Sequence, residues 1–374
     1  MVGINGSGKS NFFKAIKFLK EAIEGKAIKT LIYNDWGAPN NVFFSGSIPE
    51  LSFKKISFLI TFDGEVINSF LKSAEIDLVE YLINITIVSL GTPSISEEIK
   101  VTTKKGAEII VFSNKNGRTS QLIGMDLDTL HPPMSQIEVS DKGETAFSVS
   151  NQIPDILLPL RGYLRLINIY SFFDTSKNSE LKKPVVPLDQ LKLSEDGGNL
   201  TQLLNWLRQN QKRAFSKINE QLERVSSVYN RVDFLPLGTH IQLQLDEKHL
   251  NKPIAALNVS DGTLKFLCLM AILCNPNRGN VVCIDEPELG LHPDMISTLC
   301  EGIKHASETS QIIISTHSPE LLNHFDVQNI RVFEKDENNA TVVSQFETEQ
   351  FDNFMNKYMP GQLWRQGHLG GNRW

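Results

Sequence analysis

Apolar residues fall at helical steps soon after the start of the chain. Phe12, Ile16, Phe18, Leu19 and Ile23 recur in a Lys-rich stretch, which predicts an amphipathic helix from Asn11 to about Gly25 with the glycine as its stop. From about residue 48 to 150 the texture changes to β-branched and aromatic runs. Ile56 to Phe62, Tyr81 to Leu90, Ile99 to Thr103 and Ala107 to Ser113 are separated by Asp63-Gly64, Lys104-Lys105-Gly106 and Asn116-Gly117, and together they predict an antiparallel β region. Helical spacing returns between Asn199 and about Val228. There Leu203, Leu204, Leu207, Ile218, Leu222 and Val225 form a stripe among Gln, Lys, Arg and Glu, with Trp206 beside it. From 231 to 345 strands and helices alternate, and the apolar runs Val281 to Ile284 and Gln311 to Ser315 read as buried parallel strands.

Composition narrows the class. The 374 residues are 41% hydrophobic and 21% charged, which excludes a disordered or collagen-like chain. At about 150 residues per domain the length suggests about two to three domains. With 37 Lys and Arg against 43 Asp and Glu the formal charge is −6, so the chain as a whole is no basic nucleic-acid binder. Lys212, Arg213, Lys217 and Arg224 could touch a nucleic-acid backbone but read better as a solvated helix face balanced by Glu220 and Glu223. Cys268, Cys274, Cys283 and Cys300 form no CxxC pair and suit reduced thiols. The longest apolar run, Phe266 to Cys274, is too short for a bilayer, and no signal pattern opens the chain; a soluble, cytoplasmic protein with no membrane partner is expected.

The first ten residues carry the sharpest chemistry. Gly3-Ile4-Asn5-Gly6-Ser7-Gly8-Lys9-Ser10 fits the G-x-x-x-x-G-K-[ST] pattern completely. Its glycines let backbone N–H groups wrap phosphate oxygens, and the positive end of the following helix adds to the attraction. Lys9 would reach the β- and γ-phosphates of ATP, and Ser10 would ligate Mg²⁺. Only Met1 and Val2 precede Gly3, so the strand that aims such a loop is expected to lie upstream of residue 1. A start codon set too late is the preferred explanation, with a fragment as the alternative.

Two strand ends complete the set. Val281 to Ile284 runs into Asp285-Glu286, where Asp285 would hold Mg²⁺ and Glu286 would orient or deprotonate the attacking water. The run Gln311 to Ser315 ends in Thr316-His317-Ser318-Pro319, where a neutral His317 could contact the γ-phosphate or that water. Alone, either feature could be an ordinary strand end. In this order the three motifs reach the carboxyl edge of one sheet, where ligands of open α/β sheets bind.

Through GINGSGKSN (residues 3–11, through Asn11), NVSDGTLKF, VVCIDEPELGLHP and IIISTHSPELL, the chain resembles the ABC-type ATPase heads of the RecF/SMC and OLD-like AAA ATPase group. The resemblance covers residues 1 to about 30 and 195 to 374. It implies an α/β P-loop NTPase head with a mixed β-sheet core, an antiparallel β subdomain and a helical arm. It also implies that the turn around Ser260 and Gly262, at the start of the helix from Leu264, meets the nucleotide of a second subunit. ATP would then join two heads as a homodimer. The loop Glu288 to Pro293, with His292, is implied to lie near that interface. Ser194 to Leu200 and the tail Leu363 to Gly371 look like features of the same group. The signature reads SDGT rather than SGGQ, which argues against a transporter subunit, and no Q-loop glutamine can be placed near Phe43-Phe44-Ser45-Gly46.

The expected organisation is residues 1–47 as the N-terminal part of the ATPase core, 48–150 as the β region, 151–230 as linker and helical arm, 231–350 as the C-terminal ATPase lobe and 351–374 as a tail. The expected function is an ATP-dimerised ATPase in DNA maintenance or anti-phage defence. The alternative is a low-turnover ATP sensor that controls a separate nuclease-type effector. Direct DNA binding stays open.

Overall fold

The computed structural model describes residues 1–37, 42, 54–71, 75–87, 93–115, 118–122, 134–138, 145, 147, 158–347 and 357–370. Two compact units emerge. One joins Met1–Phe13 to Ile167–Asp336 and Thr341–Trp374; the other comprises Lys14–Leu166 and Glu337–Ala340.

The chain opens with a two-residue strand, β1 (Val2–Gly3), and a 15-residue helix, α1 (Lys9–Ile23). Phe13, Phe18, Leu19, Ala22 and Ile23 are buried on α1. Phe12, expected on that stripe, is 40% exposed and sets its edge against the Phe333 ring; Phe13, one position on, takes the buried place.

The second unit holds a six-stranded antiparallel sheet in sequence order: β2 (Lys54–Asp63), β3 (Ile76–Ile87), β4 (Pro93–Thr103), β5 (Glu108–Lys115), β6 (Arg118–Leu122) and β7 (Met134–Glu138). The antiparallel character follows the sequence pattern. β4 is longer than its apolar end suggests, because Glu97 sits buried between Ile95 and Ile99. Its carboxylate accepts from Tyr81 Oη at 2.5 Å and Asn114 Nδ2 at 3.3 Å, which offsets the cost of burying it. The Lys104–Gly106 turn closes through Gly106, with φ 81°, whose N–H donates to Thr103 O at 2.8 Å. Asn116-Gly117 and Phe43 to Gly46 lie outside the described residues.

The first unit continues through β8 (Ile167–Tyr170), α2 (Leu200–Asn210), α3 (Lys212–Val225), β9 (Tyr229–Leu237), β10 (His240–Glu247), β11 (Ile254–Ala255) and α4 (Asp261–Leu273). It ends with β12 (Val281–Asp285), α5 (Asp294–Ser307), β13 (Gln311–Ser315), α6 (Pro319–Leu322), β14 (Arg331–Lys335), β15 (Thr341–Gln345) and α7 (Pro360–Arg365). Strands β8, β12 and β13 pair in parallel in the order β13-β12-β8. β1 pairs in parallel with β14, and β14 pairs antiparallel with β15. A Val2–Thr316 bridge joins these two groups into one mixed sheet, and Thr316 N donates to Met1 O at 2.9 Å. Val2 and Gly3 thus lie between β13 and β14 immediately ahead of the loop.

Helix α4 is apolar almost all round and is buried from Phe266 to Leu273. Leu203, Leu204, Leu207, Ile218 and Leu222 of α2 and α3 belong to the same core, so the stripe predicted for the arm packs inward. Arg224 makes a bidentate pair with Glu301 of α5 at 2.5 and 2.9 Å, whereas Glu223, expected to balance this face, pairs with Lys248 at 2.6 Å. The tail residues Leu363, Trp364 and Leu369 are buried with Val2, Leu322 and Val332, directly behind the loop. Trp374 lies outside the described residues. Among the described residues no helix is long and apolar enough to cross a membrane.

Candidate active site

The loop from Gly3 to Ser10 leaves β1 and enters α1. Gly6 and Gly8 take φ 81° and 108°, a region that side chains disfavour. A Cβ on Gly8 would overlap Thr341 Oγ1, and one on Gly3 would overlap the Phe333 carbonyl oxygen. The hydroxyl of Thr341 donates to Ser7 O at 2.9 Å, so β15 braces the loop from outside. The first turn of α1 carries no acidic residue, which leaves its positive pole open to an anion. Asn5, Gly6, Ser10 and Asn11 are exposed, whereas Ser7 is buried and its hydroxyl has no hydrogen-bond partner among the described residues. Lys9 is 5% exposed and donates to Gly3 O at 2.8 Å and Ile4 O at 3.1 Å. Burial holds its ammonium below the usual lysine range, and Glu286 followed by Asp285 pull the other way.

Those two acids stand at the end of β12, beside the end of β13. Ser315 Oγ donates to Asp285, and Glu286 N donates to Ser315 O at 3.0 Å. Glu286 adopts φ 43°, uncommon for a residue with a side chain, which turns the chain sharply after the strand. Its Oε1 lies 3.4 Å from His317 Nε2. Burial, then the charge of Lys9, push the His317 imidazole below its ordinary pKa, with Glu286 opposing. Glu288 fixes the His317 turn by accepting from Thr316 Oγ1 at 2.5 Å and His317 N at 3.2 Å. Lys9, Asp285, Glu286 and His317 thus converge at the carboxyl edge of the sheet.

Ser260 caps α4, accepting from Thr263 N at 3.2 Å. Gly262 lies against Gly290, where a Cβ would meet the carbonyl at 2.7 Å. Together with Asp285 and Glu286, Gly262 lines a cavity of about 240 Å³. His292 is exposed and pairs with Asp294 at 3.2 Å.

The donor set fits a nucleoside triphosphate with Mg²⁺. The glycine conformations, the unneutralised helix end and the orphaned Ser7 hydroxyl suit phosphate oxygens. One hydroxyl, Ser10, and one carboxylate, Asp285, suit a hard cation that keeps water and phosphate ligands. Ser315, Glu288, Thr341 and Lys265 were not identified as site residues from the sequence. Each acts through a partner far away in the chain, a relation that local spacing cannot reveal.

A model of the family described as "AAA domain, putative AbiEii toxin, Type IV TA system" matches residues 1–323. The chain is 30% identical over 177 residues to the "Retron Ec83 probable ATPase" of Escherichia coli, covering 41% of this chain and 29% of that protein. It is 23% identical over 213 residues to the "Retron Vc95 probable ATPase" of Vibrio cholerae, covering 52% of this chain and 41% of that protein. The chain thus spans well under half the length of these relatives. A solved SMC head bound to the C-terminal winged-helix domain of ScpA is similar in fold, with a TM-score of 0.54 at 16% identity, covering 93% of this chain and 90% of that one.

Proposed function

The chain belongs to the AAA-domain ATPase family whose model spans residues 1–323, and on that premise we propose that it binds Mg²⁺-ATP on Gly3 to Ser10 and hydrolyses it with Glu286. The reading rests on one observation above all: Lys9, Asp285, Glu286 and His317, far apart in sequence, meet at one sheet edge.

The backbone N–H groups of Gly6, Ser7, Gly8 and Lys9 bind the phosphate oxygens, supported by the Asn5 and Asn11 ends of the loop. Lys9 exchanges the carbonyls of Gly3 and Ile4 for β- and γ-phosphate oxygens. Ser10 and Asp285 would hold Mg²⁺, which would neutralise charge on the phosphates. Ser315 keeps the Asp285 carboxylate in place. Glu286 accepts a proton as a water oxygen bonds to the γ-phosphorus and the bond to the β-phosphate oxygen breaks, giving ADP and phosphate. Neutral His317 orients that water and senses the γ-phosphate.

Ser260 and Gly262 of a second copy cap the nucleotide, so ATP joins two heads and hydrolysis parts them. Likeness to ATPases named for retrons supports a role in anti-phage defence in the cytoplasm, with a separate effector protein as the controlled partner. The low-turnover sensor is the same site run slowly, and a stoichiometric nuclease co-purifying with the chain would favour it. DNA-stimulated turnover of a homodimer would favour a repair motor.

Calorimetric titration with Mg²⁺-ATP tests the site. Wild-type protein and Glu286→Gln should bind, and Lys9→Ala should lose binding by at least about a hundredfold, since buried charge-assisted contacts to phosphate are lost. Equal affinity in all three proteins would refute the assignment.

A further inference from the structure

Lys265 lies on α4, one turn past the Ser260–Gly262 turn. Its side chain crosses to the segment after β12, where Nζ donates to Glu286 O at 3.4 Å and to Leu289 O. The same segment touches α4 a second time, at Gly262 against Gly290 O. The start of α4 is itself pinned, because Lys182 Nζ, which is nearly buried, holds Asp261 Oδ1 at 2.7 Å. On its far side Glu286 is tied to β13 by its N–H on Ser315 O at 3.0 Å, and it carries the left-handed φ of 43°. The 240 Å³ cavity between these parts is lined by Gly262, Lys265, Asp285 and Glu286. The loop that carries Glu286 is therefore clamped between β13 and α4, and Lys265 is its charged link to α4. Among the described residues the Lys265 ammonium donates to these two carbonyls, with the charges of Glu288 and Glu286 nearby. Lys265 thus joins α4 directly to the Glu286 peptide, with no residue between them.

We propose that Lys265 is a positioning residue that couples the Ser260–Gly262 turn to Glu286, so that a phosphate bound at the turn sets the Glu286 carboxylate in the same subunit. The inference rests on the proposed ATPase reading and deepens it: each head would hydrolyse its own ATP at full rate only when its turn grips the nucleotide of the other. A passive packing role would make no such link between turn and rate.

The test compares wild type, Lys265→Met and Lys265→Arg in the full chain. The readouts are kcat, KM for ATP, the dependence of turnover on protein concentration, and thermal melting. Lys265→Met should keep its melting temperature and bind ATP within about twofold of wild type, lose about tenfold or more in kcat, and lose the rise of specific activity with protein concentration. Lys265→Arg, which can still donate to both carbonyls, should restore at least about a third of the rate. Should the Met variant melt early, Lys265→Gln, which keeps one donor group, takes its place with the same expected split between kcat and binding. A folded variant with wild-type kcat and concentration dependence overturns the coupling alone. A wild-type protein that does not turn over ATP at any concentration overturns the ATPase reading, and the coupling with it.

Discussion

The loop around Gly8 leaves no space for a side chain. With φ at 108° and Thr341 Oγ1 standing where a Cβ would have to go, Gly8→Ala must distort the loop or push β15 away. ATP affinity is expected to fall by about tenfold or more, corresponding to the roughly 1–3 kcal/mol of a strained backbone position, with little change in the fold; calorimetry on the purified variant checks this. His317 carries the pH dependence. Burial and Lys9 keep its pKa below the ordinary value of about 6.5, so the imidazole is neutral at pH 7 and stays so somewhat below 6.5. The unfolded chain takes up this proton as pH drops through about 6.5 while the folded chain does not, so its contribution to stability is full above 6.5 and lost as pH falls through the folded pKa. Turnover should hold through about pH 6.5 and decline only as pH falls through the lowered pKa of folded His317. In His317→Asn that acid limb should shrink, and a pH–rate profile unchanged by the substitution would remove His317 from the site.

Whole elements were legible where chemistry or periodicity is local. The phosphate-type loop, the strand ending in Asp285-Glu286, the His317 strand and the α2–α3 stripe could all be located from adjacent residues. β8 could not, because Ile167–Tyr170 is only four residues long. The full length of β4 was hidden by Glu97, whose burial depends on Tyr81 and Asn114 from neighbouring strands. Val2 and Gly3 are too few to show a pattern, and their pairing to β14 and, at Val2, to Thr316 comes from residues more than 300 positions away. The position of α2 and α3 gives an element-scale test. Leu203 and Leu222 are fully buried in the core, so Leu203→Ala and Leu222→Ala should each cost about 2–5 kcal/mol of unfolding free energy in a denaturant titration. A projecting arm would lose far less, and a change below about 0.5 kcal/mol would contradict the packing.

At the scale of the whole molecule, the proposed function places the Ser260–Gly262 turn of one copy against the nucleotide of another. Glu286→Gln, which should bind ATP without cleaving it, is expected to shift to dimers on adding Mg²⁺-ATP and back to monomers when the nucleotide is removed. Mass photometry at nanomolar protein reads this directly. A mass that ignores ATP would leave the site catalytic but solitary, and would also remove the basis for regulation through the turn.

The most direct measurement is a single-turnover assay with γ-labelled ATP and excess protein. Wild type should convert bound ATP to phosphate, Glu286→Gln should retain the label as intact ATP at a rate lower by about 10²–10⁴, and Lys9→Ala should retain no label at all. Release of phosphate at the same rate by all three proteins would show that the triphosphate is not held between the loop at Lys9 and the acids at Asp285 and Glu286.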